Sequence, residues 1–340
     1  MFDAFTSRAV RRFAVAIILL AMAGWLATYW QHGNARKSGD SDTPPSISYY
    51  HWANSYTDDP ARLHTYAPAQ LYLKLLDIGY RDQKLSINPT DVRTPPSLPM
   101  TPVVFLDNNA LKNAALDTLY AQILTHIPPQ QYQHLQVDCD WTEQTRVTYF
   151  AFLKRLKADY PHLSVTLRLH QVKYAERTGV PPVERATLMY YNMSDIRDPA
   201  TPNYILDTAV GQHYLQNFAQ YPLPLDLALP LYQQTRVIRQ GKLVQLLNSV
   251  ELNAAKTARL EDNHYKVTQG HYWQEYYLYP DDELRVDTVD LKLLQQAAQQ
   301  LSAVMQPDEV IFYTLSDAAR FTPNALASVA NIFAGRSQPQ

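Results

Sequence analysis

Two aspartates lie two residues apart in the stretch LQVDCDWTEQ, which covers residues 135–144. In a β-strand, residues two apart point to the same side, so Asp138 and Asp140 would share one face and the apolar residues the other. Two carboxylates at one site repel each other unless the site uses or neutralises them. The spacing therefore marks these residues as candidates for acid–base chemistry or for a paired charge network.

The elements around this pair alternate between β-rich runs and helical patterns from residue 46 onward. Apolar residues recur at helical spacing in residues 111–127, 148–160, 205–219 and 291–305. Eight strands separated by helices predict an α/β fold, a (β/α)8 TIM barrel, with an open doubly wound sheet as the alternative. The β-rich runs are residues 47–52, 70–78, 101–108, 134–141, 163–170, 186–192, 224–232 and 309–317.

In a barrel, each strand turns one face toward the helices and the other toward the interior. Alternation along the runs turns Asp138, Asp140, Lys74, Arg168 and Asp226 inward. Buried charges need partners, so these five side chains are predicted to form one inward network. An ion-pair cluster that only fills the barrel is the alternative to an active site.

Composition excludes several function classes. The chain has 340 residues, of which 30 are basic and 32 acidic, so nothing favours a nucleic acid partner. Cys139 is the single cysteine, which excludes an internal disulfide and a cysteine-based metal cluster and predicts a small buried hydrophobe. The histidines lack ligand spacing and no Gly-rich phosphate loop is found, so neither a metal nor a cofactor is predicted.

The N-terminus predicts a membrane segment. Residues 13–30 form an uncharged run after Arg8, Arg11 and Arg12, and as a helix they would span roughly 27 Å. This length favours an uncleaved anchor over a removed signal peptide, and both over a buried soluble helix. The rest of the chain would then be exported to the periplasmic side and anchored in the inner membrane. A flexible linker is predicted for residues 31–45.

The strands resemble those of family 18 glycoside hydrolases, the chitinase-like barrels, from about residue 47 onward. That family carries Asp-Gly-x-Asp-x-Asp-x-Glu on its fourth strand, and Asp138 and Asp140 match the second and third acidic positions. LMYYN at residues 188–192 is similar to the sixth-strand Met-x-Tyr-Asp/Asn. ALPLY at residues 228–232 is similar to the seventh-strand Pro-x-Tyr, and Tyr313 stands where the eighth strand usually has tryptophan. The resemblance implies one barrel over residues 46–335, with an insertion at about residues 236–289.

The chain departs from this pattern at the position of the catalytic glutamate, which is Thr142 here. Threonine cannot serve as a general acid, and Glu143 lies one residue later, where alternation sends its side chain the other way. The sequence therefore resembles a group of exported bacterial barrels that carry Asp-x-Asp without this glutamate. Asp107 and Asp317, at the ends of other strands, are further candidates for a second carboxyl group.

Two functions follow from these patterns. One is a divergent glycoside hydrolase that acts on a bacterial polysaccharide, with Asp138, Asp140 and Glu143 as the catalytic candidates. The other is a glycan-binding barrel without catalysis, in which aromatic rings stack on sugar faces. A membrane-tethered scaffold is a third alternative. The predicted substrate-binding residues are Trp52, Lys74, Asp107, Arg168, Tyr191, Asn192, Asp226, Tyr232 and Tyr313, and further candidate aromatics are Trp141, Trp273 and the tyrosines of residues 272–279.

Overall fold

Eight parallel strands close into a barrel in the computed structural model, which describes residues 43–248, 252–273 and 275–334. Each strand pairs with the next along the chain, and β1 pairs with both β2 and β8. The predicted barrel is therefore confirmed, and the open doubly wound sheet is excluded because such a sheet would not close. The barrel strands are β1 (Ser46–His51), β2 (Leu71–Arg81), β3 (Met100–Leu106), β4 (His134–Asp138), β5 (His162–Arg168), β6 (Arg185–Met189), β7 (Leu225–Pro230) and β8 (Glu309–Tyr313).

Helices connect the strands and cover the outside of the barrel. The stretch predicted as one helix over residues 111–127 is two helices, and the helix predicted over residues 205–219 shortens to five residues. Asn217 takes φ 69°, which an α-helix cannot contain. The helices are α1 (Pro60–Tyr66), α2 (Asn108–Asn113), α3 (Leu116–His126), α4 (Arg146–Leu156), α5 (Leu169–Lys173), α6 (Ala175–Thr178), α7 (Thr208–Gln212), α8 (Leu291–Ser302) and α9 (Pro323–Ala330), with 3-10 turns at Phe218–Gln220, Leu315–Arg320 and Asn331–Phe333.

The residue that caps the N-terminus of α8, Asp290, allows a test of how much a helix cap stabilises the protein. The Asp290 side chain accepts a hydrogen bond of 2.7 Å from the backbone N–H of Leu293. Replacing Asp290 with alanine is expected to lower the free energy of unfolding by about 1 kcal/mol, because an N–H of the first turn loses its acceptor. Urea denaturation measures the change. A loss of the same size in Asp290→Asn, which keeps the acceptor oxygen, would contradict the capping explanation.

The apolar core has two layers, one outside and one inside the barrel. Cys139 and Trp141 lie in the outer layer, between the strands and the helices, as predicted for the face opposite the aspartates. The inner layer is partly aromatic and includes Tyr50 and Tyr72. Hydrogen bonds satisfy its polar groups: the Tyr50 hydroxyl donates to Gln136 at 2.6 Å. The inside of the barrel is therefore filled, and solvent meets its contents mainly at the two ends.

An insertion between β7 and β8 forms a five-stranded antiparallel sheet with a core of its own. Trp273 is buried in that core with Val237 and Leu284. Of the two interpretations of Trp273, a sugar platform or ordinary core packing, the structure supports core packing, because its ring packs inside the insertion. The sheet strands are Gln234–Arg239, Lys242–Leu247, Thr257–Glu261, His264–Val267 and Glu283–Asp287. The strands His271–Trp273 and Tyr276–Leu278 form a separate two-stranded sheet in the same insertion, and the remaining strands are Ser55–Tyr56, Lys84–Pro89 and Asp91–Val92.

A fully buried ion pair joins the insertion to the loop that follows β6. Arg236 donates to both carboxylate oxygens of Asp287, at 2.7 and 3.0 Å, and both side chains have no exposed surface. The same guanidinium donates to the backbone carbonyls of Asp198 and Thr201, at 2.9 and 2.6 Å. Asp287 in turn accepts from the backbone N–H of Tyr204 at 3.2 Å. Each of these polar groups has a hydrogen-bond partner, so this ion pair holds the insertion against the loop that follows β6.

The predicted anchor, residues 13–30, and most of the predicted linker, residues 31–45, lie outside the described residues. Among the residues that are described, no helix has both the length and the apolar character that a bilayer crossing requires.

Candidate functional site

The two aspartates lie at the C-terminal end of β4, where they have different partners. Asp138 is 8% exposed and accepts a hydrogen bond from the Thr166 hydroxyl on β5. Asp140 is about half exposed and forms a two-point ion pair with Arg168, with N···O distances of 2.8 and 2.9 Å. One carboxyl is therefore buried against a neutral donor, and the other is neutralised by a guanidinium. Active sites of (β/α)8 barrels are built at this end of the strands.

These surroundings give the two carboxyl groups different proton affinities. Burial raises the pKa of Asp138 from 3.8 to about 6, and the charge of Asp140 adds to the rise, while Thr166 and Arg168 oppose it. Burial disfavours the charge on Arg168, but the hydrogen bonds and charge of Asp140 outweigh this and raise the pKa of the guanidinium. Asp138 thus holds its proton more tightly than an ordinary aspartate does, beside an ion-paired carboxylate.

Asp77 is a site residue that the sequence patterns missed. Its carboxylate accepts from the Lys74 ammonium at 2.9 Å, and the same ammonium donates to Asn54 at 2.9 Å. Alternation would place residues 74 and 77 on opposite faces of β2, but the pairing register shifts at Leu75 and brings them together. The Asp77 charge also contributes to the raised pKa of Asp138, so Asp77 belongs to the same end of the barrel.

The predicted single network of inward charges is wrong, because the charges lie at different depths. Asp226 is near the start of β7 and forms a two-point pair with Arg185, at 2.7 and 2.8 Å. Arg185 also contacts Asp308, at 2.9 Å, just before β8. This group lies at the N-terminal end of the barrel. Lys74 and Arg168 form their ion pairs at the C-terminal end, with Asp77 and Asp140 respectively. Burial raises the pKa of Asp226 to about 7, with Arg185 opposing the rise.

The predicted aromatic residues meet around Tyr313. Its ring centroid lies 5.6 Å from that of Trp52, 5.3 Å from Tyr191 and 5.8 Å from Tyr232. The Tyr232 hydroxyl donates to the side-chain oxygen of Asn192. The ends of β6, β7 and β8 and the residue after β1 therefore bring these four candidate residues to one place.

A cavity of about 630 Å³ opens beside these rings, and it is called the mouth pocket below. Asp138 and Asp140 are not among its lining residues. Burial and then the charge of Asp138 raise the pKa of Tyr313, which is itself a lining residue of the pocket. The lining residues are Trp52, Asn192, Ser194, Ile196, Tyr204, Tyr232, Gln233, Gln234, Asn248, Tyr313, Thr314, Ser316 and Asp317.

Other predicted site residues lie away from the mouth pocket. Glu143 is exposed in the turn after β4, and Thr142, at the family's glutamate position, is exposed as well. Asp107 caps α2 by accepting from the Asn109 backbone N–H at 3.0 Å. The Trp141 ring stacks on Tyr149 at 5.1 Å, on the helix side of β4. None of these four is a lining residue of the mouth pocket. No group of potential metal ligands is found in the described part of the chain.

Comparison with known proteins identifies the fold. No protein-family model matches the sequence, and no curated protein matches it either. Among solved structures, a chitinase from Chromobacterium violaceum aligns with a TM-score of 0.54 at 12% identity, over 87% of this chain and 100% of that one. The Bacillus cereus spore cortex-lytic enzyme SleL aligns with a TM-score of 0.50 at 14% identity, over 86% of this chain and 75% of that one.

A third similar structure is the C-terminal domain of a putative chitinase from Desulfitobacterium hafniense, with a TM-score of 0.50 and 10% identity, over 86% of this chain and 100% of that one. At such low identities the likeness shows the fold alone. The chain has a chitinase-like (β/α)8 barrel, and the resemblance predicted from its strand motifs is confirmed at this level.

Proposed function

We propose that this chain is a carbohydrate-active protein that binds a polysaccharide at the C-terminal mouth of its barrel. The mouth pocket carries the proposal: its rings, amides and hydroxyls converge on one cavity. Aromatic faces stack on the C–H faces of sugars, while amide and hydroxyl groups exchange hydrogen bonds with sugar hydroxyls. The solved structures with this fold include chitinases, which also supports a glycan as ligand.

A second candidate function is hydrolysis of the bound glycan by a divergent glycoside hydrolase. The observation that favours it is the carboxyl pair, since a group with a pKa of about 6 can act as a general acid beside a carboxylate. Two features place this function second. Asp138 is almost completely buried, and Asp140 is already ion-paired with Arg168. Assignment to the barrels that carry Asp-x-Asp without the catalytic glutamate belongs to the same proposal.

One experiment separates the two functions. The full chain and its Asp138→Asn and Asp140→Asn variants are incubated with a panel of bacterial envelope polysaccharides and exopolysaccharides, and retained ligand and new reducing ends are both measured. Binding without new ends supports the binding function. New ends from the wild type, lost by at least about a hundredfold in Asp138→Asn, establish hydrolysis. Neither signal with any glycan would overturn the proposal and favour the scaffold alternative.

The ring of Trp52 provides a more local test of the mouth pocket. Trp52→Ala is expected to weaken polysaccharide binding about tenfold, because one stacking ring contributes roughly 1 kcal/mol beyond its buried area. Isothermal titration calorimetry measures the affinity. Tyr272→Ala is the matched control, since this ring is 71% exposed on the insertion and does not line the pocket. Equal losses in the two variants would count against the mouth pocket as the binding site.

Export and membrane anchoring also belong to the proposal. They rest on the apolar run of residues 13–30 and its arginine flank in the sequence. An anchored periplasmic barrel would meet the polysaccharides of the envelope directly. Protease accessibility in spheroplasts tests the orientation: digestion of the barrel from the outer side of the inner membrane supports export, and protection would contradict it.

A further inference from the structure

The mouth pocket has a single charged lining residue within the described part of the chain, Asp317. The rings of Trp52, Tyr204, Tyr232 and Tyr313 line the same cavity. The Asp317 carboxylate accepts a hydrogen bond of 2.5 Å from the Thr314 hydroxyl. The pocket therefore combines one carboxylate with several aromatic rings.

The cations near this carboxylate form their hydrogen bonds with other groups. The Arg320 guanidinium donates to the backbone carbonyls of Leu231 and Val289, and Arg168 pairs with Asp140. Lys74 donates to Asp77 and Asn54. Asp317 has no ion pair with any described residue, and its hydrogen-bond donor from a side chain is a neutral hydroxyl. The Arg320 charge acts on Asp317 without a direct contact, so the carboxylate oxygens remain able to accept from a ligand.

Aromatic faces attract cations as well as sugar C–H groups. The mouth already contains one such contact, because the Lys74 ammonium lies 5.6 Å from the Trp52 ring centroid. A ligand that carries both a sugar ring and an ammonium group would satisfy the two features together. Its ring would stack on the aromatic residues, and its ammonium would pair with Asp317. A neutral N-acetylated sugar would stack equally well but would leave the carboxylate without a counter-charge.

We propose that the mouth pocket recognises a polysaccharide with free amino groups, in which the ammonium of a glucosamine-type residue pairs with Asp317. This inference rests on the proposed glycan-binding function and specifies its substrate class. It concerns the charge of the ligand and makes no use of the Asp138 and Asp140 pair. The inference therefore holds whether or not the glycan is cleaved.

The test compares oligomers of equal length made of glucosamine or of N-acetylglucosamine, in both β-1,4 and β-1,6 linkage, by calorimetry with the full chain. The glucosamine oligomer of the preferred linkage is expected to bind about tenfold more tightly, because it adds an ammonium–carboxylate pair and cation–π contacts. Its affinity should fall as salt is added, since salt screens a partly exposed pair, whereas the affinity of the acetylated oligomer should change little. Asp317→Asn is expected to bring the ratio of the two affinities close to one. Asp308→Asn removes the same charge at the opposite end of the barrel and is expected to keep the wild-type ratio.

The outcomes distinguish this inference from the function on which it rests. Equal or tighter binding of the acetylated oligomer would overturn the inference and leave the glycan-binding function standing. Binding of neither oligomer, together with a failed polysaccharide panel, would overturn both. Displacement of the glucosamine oligomer by an equal concentration of tetramethylammonium would show a site for free cations and would overturn the amino-sugar assignment. The wild-type ratio and its salt dependence remain decisive if Asp317→Asn does not fold.

Discussion

Replacing Arg236 with methionine is expected to lower the free energy of unfolding by about 3–5 kcal/mol. Arg236 and Asp287 have no exposed surface, so the variant leaves a carboxylate buried without its counter-charge. It also leaves the backbone carbonyls of Asp198 and Thr201 without the guanidinium that satisfies them. Urea denaturation followed by tryptophan fluorescence measures the change.

A double variant separates the cost of the orphaned charge from the value of the pair. Arg236→Met combined with Asp287→Leu removes both charges and is expected to recover most of the lost stability, because apolar groups of similar volume can replace a buried ion pair. Arg197→Met is the matched control, since Arg197 is 78% exposed and its pair with Asp195 lies in solvent, so its replacement should change the stability far less than that of Arg236. A loss below about 1 kcal/mol in Arg236→Met would contradict the anchoring role of this pair.

Replacing Asp138 with asparagine is expected to stabilise the protein at pH 7.5 by about 2–3 kcal/mol. The folded protein holds the Asp138 proton more tightly than the unfolded chain does, because burial raises the pKa from 3.8 to about 6. The stabilising contribution of the protonated group is complete below pH 3.8 and is lost as the pH rises through about 6. Asparagine is neutral at every pH and keeps an oxygen for the Thr166 hydroxyl.

The dependence of the unfolding free energy on pH tests the predicted effect of Asp138→Asn. The unfolding free energies of the wild type and Asp138→Asn, measured from pH 3 to pH 8, should converge at the acid end and separate between about pH 4 and 6. Asp117→Asn serves as a surface control, because Asp117 is 87% exposed and its pair with Arg155 lies in solvent, so its replacement should give no step in stability between about pH 4 and 6 of the size expected for Asp138. A destabilised Asp138→Asn at pH 7.5 would show that the ionised carboxylate is well accommodated where it lies.

The barrel could be predicted from the sequence because β-rich runs and helical patterns alternate along the whole chain from residue 46 onward. Alternation in the β5 run places Val165 and Leu167 toward the helices and Thr166 inward, and the structure agrees. The same rule placed Trp141 on the helix side. Residues at the ends of four strands also came together at the mouth, since the C-terminal ends of parallel strands share one edge of a barrel.

Strand alternation does not predict how far along a strand a residue lies, nor where the pairing register of a strand is broken. Alternation gives the face of Asp226 but not its distance from the mouth, so its pairing with Arg185 at the opposite end was missed. The irregularity at Leu75 reversed the expected face of Asp77. The pairing of Arg236 with Asp287 joins residues 51 apart in the insertion, and no local pattern brings such distant residues together. Such contacts depend on tertiary packing, which local sequence patterns do not encode.

The Arg236–Asp287 pair limits which segment of this chain can be transferred into another (β/α)8 barrel. An insertion between two strands is often treated as a module that can be transplanted as a unit. Here the carbonyls that complete the guanidinium belong to the loop after β6, outside the insertion. A chimaera that received the insertion alone, from Gln234 to Asp287, would inherit a buried cation without its backbone acceptors. The transferable unit is therefore discontinuous in sequence, and it comprises the insertion together with the loop after β6.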